Sequence, residues 1–79
     1  NLTQALNWIE KATAGDDPKF WQVRKKAQIL AGLGKFQEAV KAANHSKDLA
    51  MAADNADYVR MNEKDIAEWS GKYMKKKKK

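Results

Sequence analysis

The sequence predicts an all-α chain of about four helices, packed as a right-handed stack of antiparallel hairpins. Three observations predict it. Apolar residues recur at helical spacing through most of the 79 residues. The chain is rich in alanine and lysine, with one proline and four glycines. Strings of residues also recur at offsets of 34 and 36 positions, the mark of a stacked helical array.

The first helix is expected over 2–14. Its apolar face is Leu2, Ala5, Leu6, Ile9 and Ala12 or Thr13, with Trp8 on the margin and Asn1 or Thr3 as its cap. Gly15 is the expected stop, since glycine takes a left-handed conformation without steric cost. The second helix is expected over 18–32. Asp17 suits its N-cap and Pro18 its first position, where no backbone donor is needed. Its stripe is Phe20, Val23, Ala27, Leu30 and Leu33.

Gly32-Leu33-Gly34 permits a tight reversal. The third helix, over 35–53, carries Phe36, Ala39, Val40, Ala43, Leu49 and Ala50. Small residues at Ala27, Ala39 and Ala43 would let two axes approach closely, and a short connection implies antiparallel neighbours. Asp54 or Asn55 should cap the fourth helix, over 55–70, whose stripe is Val59, Asn62, Ile66, Trp69 and Tyr73. Gly71 should end or fray the ordered part. This gives a helical domain over 1–72 and a disordered lysine-rich tail over 73–79.

The net charge of +6 is unevenly spread. Lys75 to Lys79 supply five of the 16 basic residues, and the remaining 11 face 10 acidic ones. The body is therefore balanced and the tail basic. With no cysteine, disulfides and thiolate chemistry are excluded. No apolar run approaches the roughly 20 residues a membrane crossing needs. Asn1 in place of a methionine suggests the edge of a processed or excised chain.

Catalytic chemistry finds little support. His45 is the single histidine. It lies beside Asn44 and Ser46 on the polar side of its helix, and without a second soft ligand no zinc site follows. No nucleophile, base and orienting group come together in the sequence. Asp16-Asp17 and Asp54/Asp57 lie where helix starts favour acids. The glycine turn lacks the lysine-serine sequel of a phosphate loop. The expectation is a non-enzymatic chain with no metal and no cofactor.

Internal similarity organises these elements. ALNWIEKA aligns with AVKAANHS at an offset of 34. Val23-Arg24 and Leu30-Ala31 align with Val59-Arg60 and Ile66-Ala67 at 36. The chain is thus a second helix, one complete hairpin, and a further first helix. With Ala27, Leu30, Gly34, Phe36 and Glu38-Ala39-Val40, this period resembles the tetratricopeptide repeat. The chain departs from that pattern at Val23, Lys26, Met51, Val59 and Asn62. ALNWIEKA, FWQVRKKAQILAGLGKFQEAVKAA and NADYVRMNEKDIAEW also resemble the C-terminal helical region of a secreted bacterial family of unknown function, in which a β-rich domain comes first. That resemblance implies export and a place beside another domain, and supplies no activity.

In tetratricopeptide-like stacks the first helices of successive hairpins line a groove. Here the resemblance implies Trp21, Arg24, Lys25 and Gln28, then Asp57, Arg60, Met61 and Lys64. Arg24, Lys25, Arg60 and Lys64 form a basic strip suited to an acidic segment or a chain-terminal carboxylate of a partner protein or peptide. The competing reading has Arg24 and Lys25 facing water and pairing with nearby acids. Trp69 is expected in the core and Trp8 against the first helix of the hairpin. Trp21 beside Phe20 is the expected exposed anchor. The functional expectation is a protein-interaction scaffold. One alternative is a structural appendage packed on a β domain. Another is an anionic-polymer or membrane-surface contact through the lysine tail, although no nucleic-acid recognition module accompanies it. Exposed stack ends also suggest self-association.

Overall fold

The computed structural model describes residues 1–15 and 17–77, with side chains through Lys72. Four helices follow in order: α1 (Leu2–Thr13), α2 (Phe20–Gly32), α3 (Phe36–Ala52) and α4 (Ala56–Lys77). No strand occurs among the described residues. Class and helix count match the expectation.

Side-chain caps start two of the helices. Asn1 Oδ1 accepts from the Gln4 amide at 2.9 Å, and Asn55 Oδ1 accepts from the Tyr58 amide at 3.0 Å. The second helix starts later than expected. Lys19, in extended conformation, precedes its first residue, and Lys19 N–H donates to Gln22 Oε1 at 3.2 Å. Asp17 does not cap it: its carboxylate pairs with Lys19 Nζ at 2.9 Å. Gly15 does not take the left-handed stop either. Ala14 ends α1 at φ −78°, in the right-handed region.

The two hairpin turns share one design. Past α2, Lys35 N–H reaches Leu30 O at 2.9 Å and Gly34 N–H reaches Ala31 O at 3.0 Å. Past α3, Asn55 N–H reaches Ala50 O at 2.8 Å and Asp54 N–H reaches Met51 O at 3.0 Å. Both are Schellman motifs, which satisfy the last carbonyls of a helix by turning one residue left-handed. That residue is Gly34 (φ 81°) in the first and Asp54 (φ 60°) in the second.

The core lies between α2, α3 and α4. Val23, Ala27 and Leu30 meet Ala39, Ala42 and Ala43, and Trp69 closes the cluster from α4. Ala27, Ala39, Ala43 and Ala50 are fully buried, so little more than methyl groups separates the axes there. The third helix is packed against both α2 and α4, whereas α1 touches α2 alone. Ile9 anchors α1 at 2% exposure.

Trp8 departs from its expected place: it is 69% exposed. It lies about 100° around the axis from Ile9, outside the face that α2 covers. Asn62 keeps its place on the α4 stripe, fully buried, by donating from Nδ2 to Ser46 Oγ at 2.8 Å. The Ser46 hydroxyl in turn donates to Phe20 O at 2.7 Å. One polar chain thereby ties three helices together.

At Gly71 α4 continues. Lys72 Nζ lies 5.4 Å from the centroid of the Phe36 ring and 3.7 Å from Glu68 Oε2. The helix therefore runs past the end expected near 70, and the backbone of the proposed tail stays helical to Lys77. The rest of that tail, Lys78 and Lys79, lies outside the described residues.

Candidate functional site

The six residues singled out in the sequence fall on α2 and α4. Trp21, Lys25 and Gln28 follow at i, i+4 and i+7, so they share one face of α2, and all three are exposed. Arg24 is turned towards α4. Its Nη2 bonds Asp65 Oδ2 at 3.0 Å, with the two side chains 21% and 18% exposed. This is the one cross-helix ion pair among the described residues, and it joins positions 41 apart. Arg24 Nε is buried with no protein partner.

Arg60 pairs with Asp57 near the start of α4, and both side chains are exposed. Lys64 is exposed and Met61 half-buried. The basic strip is thus divided. Its two arginines are matched to carboxylates of the same chain. Lys25 and Lys64 take part in none of the ion pairs among the described residues. Whatever net positive potential this face offers comes from the lysines.

Trp21 is the largest exposed feature of the face, at 51%. Phe20 meets it edge-on, with ring centroids 4.9 Å apart, and Tyr58 meets Phe20 at 4.8 Å. This aromatic sequence ties the indole to both α2 and α4. Beside it lies a depression of about 370 Å³ at the end of the bundle, where the α1–α2 linker approaches the last turns of α3. Pro18, Leu49, Ala52 and Ala53 line it together with the Asp17–Lys19 ion pair. A half-exposed indole beside a largely apolar hollow has the physical character of a recognition anchor.

His45 is exposed on α3, and Ser46 beside it is buried. No group of three metal-ligating side chains comes together among the described residues. None of the described helices is long and apolar enough to cross a membrane.

Two residues that shape this region were not singled out in the sequence: Asp65 and Ser46. The repeat register held a signal for the first. Asp65 aligns with Ile29, so an acid occupies a position that is 6% exposed in the preceding unit. An acid at a core position of a repeat calls for a cation opposite. Asn62 aligns with Lys26 in the same way. Comparison of the chain with family models, with curated proteins and with solved structures finds no match.

Proposed function

We propose that the chain is a non-enzymatic protein-interaction scaffold of tetratricopeptide type, holding a peptide or a neighbouring domain on the face formed by α2 and α4. The observation that carries the proposal is Trp21: half-exposed, edge-on to Phe20, which in turn meets Tyr58 of α4, and set beside a largely apolar hollow at the end of α3. Lys25, one turn along from Trp21, and Lys64 on α4 supply positive charge for an acidic segment or a terminal carboxylate. Arg24 and Arg60 contribute less to such a partner, because each already has a carboxylate. Arg24 instead fixes α2 against α4 and so sets the shape of the face.

A pull-down from the source cell's extract tests this, with wild type, Trp21→Ala and Lys25→Glu/Lys64→Glu side by side. A partner retained by wild type and lost by both variants is the expected result. A partner indifferent to both would overturn the assignment of this face.

One observation favours a second reading, in which the chain is a structural appendage on an adjacent domain. Trp8 is 69% and Leu2 43% exposed on α1, which has a single helical neighbour. Fusing the chain to its neighbour domain tests it: one joint unfolding transition supports packing, and two independent transitions refute it. Export belongs to the same proposal, on the resemblance alone.

A further inference from the structure

The helices α1 and α3 both pack on α2 and do not touch each other. Between them lies a groove of about 400 Å³, on a different side of the chain from Trp21. Behind it lie Val23 and Leu30, which at 1% and 2% exposure are covered by the groove's outer side chains, and Ala42 at 8%. Its polar groups come from three helices: Glu10 from α1, Lys26 from α2, and Glu38, Lys41 and His45 from α3. None of the four charged groups takes part in an ion pair among the described residues. Thr13, on the same wall, spends its hydroxyl on Ile9 O at 2.9 Å.

Two features make this more than a seam between helices. The charges are of both signs, two carboxylates and two ammonium groups, yet they are not matched to one another. Lys26 is also half-buried, the one strongly charged group that lies within the groove rather than on its rim. An ammonium partly removed from water and lacking a carboxylate favours an anion that can reach it. The exposed carboxylates at Glu10 and Glu38 favour a cation at the mouth. Polar groups of both signs that converge from three helices on one groove give it the means to hold a small charged ligand.

We propose that the α1–α3 groove binds a small dipolar ligand of the amino-acid or short-peptide class. Its carboxylate would meet Lys26, with Lys41 and His45 beside it. Its ammonium group would meet Glu10 and Glu38, and its apolar portion would lie along the methylene stem of Lys26 towards Ala42. The groove is half-open and four of its five polar groups are exposed, so the binding is weak, with a Kd on the order of 1 mM.

The test is a titration of the isotope-labelled chain by heteronuclear NMR, with leucylalanine as probe. Three forms are compared: the free dipeptide, its N-acetyl derivative and its C-terminal amide. The free dipeptide should move the amide resonances of Thr13, Lys26, Leu30 and Ala42, and each blocked form should bind roughly three- to tenfold more weakly. Lys26→Met keeps the apolar stem and should erase the difference between free and amidated peptide. Glu38→Gln, at an exposed position, should narrow the difference between free and acetylated peptide without affecting the fold. Groove resonances unmoved at roughly ten times the expected Kd would overturn the proposal. So would equal binding of all three forms, which would make the groove merely apolar. Trp21→Ala should bind the dipeptide as wild type does, which separates this site from the partner-binding face.

Discussion

Replacing Ser46 with alanine removes one oxygen from the middle of the helix packing. Ser46 and Asn62 are both 0% exposed. In the variant, Asn62 Nδ2 stays buried and loses its acceptor at 2.8 Å, while Asn62 Oδ1 already has no protein partner. The amide is then buried with nothing bonded at either end. Stranding a buried neutral donor costs about 1–3 kcal/mol, and an amide that loses its single protein bond belongs near the middle, at about 2 kcal/mol. In a domain this small each kcal/mol moves the melting temperature by roughly 4–8 °C, so Ser46→Ala should melt roughly 8–16 °C lower. Adding Asn62→Leu removes the stranded amide and keeps its branched shape. The double variant should return to within about 1 kcal/mol of wild type, because deleting both partners is nearly neutral. Thermal and urea unfolding followed by far-ultraviolet circular dichroism supply the double-mutant cycle. The reasoning fails if Ser46→Ala melts within about 2 °C of wild type, or if the double variant is less stable than that single one.

Five further outcomes are expected. Asp65→Asn leaves the Arg24 guanidinium half-buried and uncompensated and should cost about 1–2 kcal/mol, between the exposed and the fully buried cases. Arg60→Ala, whose pair with Asp57 is exposed on both sides, should stay within about 0.5 kcal/mol in the same urea titrations. Gly34→Ala puts a β-carbon at φ 81° and should destabilise by about 1 kcal/mol, whereas Asp54→Gly frees a non-glycine residue at φ 60° and should stabilise by about 0.5 kcal/mol. Trp21→Ala should leave the melting temperature within about 3 °C while weakening partner retention at least about tenfold, as read by immobilised-partner binding.

Period and punctuation made the helices legible. The stripe Val23, Ala27 and Leu30 and the small residues Ala39 and Ala43 lie in the core, as their spacing requires. Trp69 is buried and Trp21 exposed for the same reason. What the sequence concealed depends on atoms brought together from far apart. Asp17 has the chemistry of a cap, but Lys19 two residues on competes for its carboxylate, and Gln22 reaches back instead. Trp8 is apolar enough for the core, yet its angle around α1 places it outside the one face that α2 covers. Arg24 has the chemistry of a ligand clamp, and Asp65, 41 residues away, occupies it. At the candidate face, sequence reasoning allowed that Arg24 pairs with an acid but did not name Asp65, and it had Lys25 paired where no ion pair forms among the described residues. That matching is set by helix rotation, and a list of residue types does not carry rotation.

The uneven packing of α1 has a consequence for how the molecule opens. A helix held by one neighbour, through Ile9 and a few partly buried side chains, needs far less than global unfolding to leave. Its amides should exchange with solvent water well before those of α2, α3 and α4, which share one core and would exchange as a unit. A protease should find the linker after Ala14 first and leave a three-helix remnant behind. The remnant would retain Trp21 and the Arg24–Asp65 pair but lose the Glu10 wall. Breathing at this end would therefore silence the α1–α3 groove while leaving the α2–α4 face in place, so one small chain would contain two surfaces of very different lifetime.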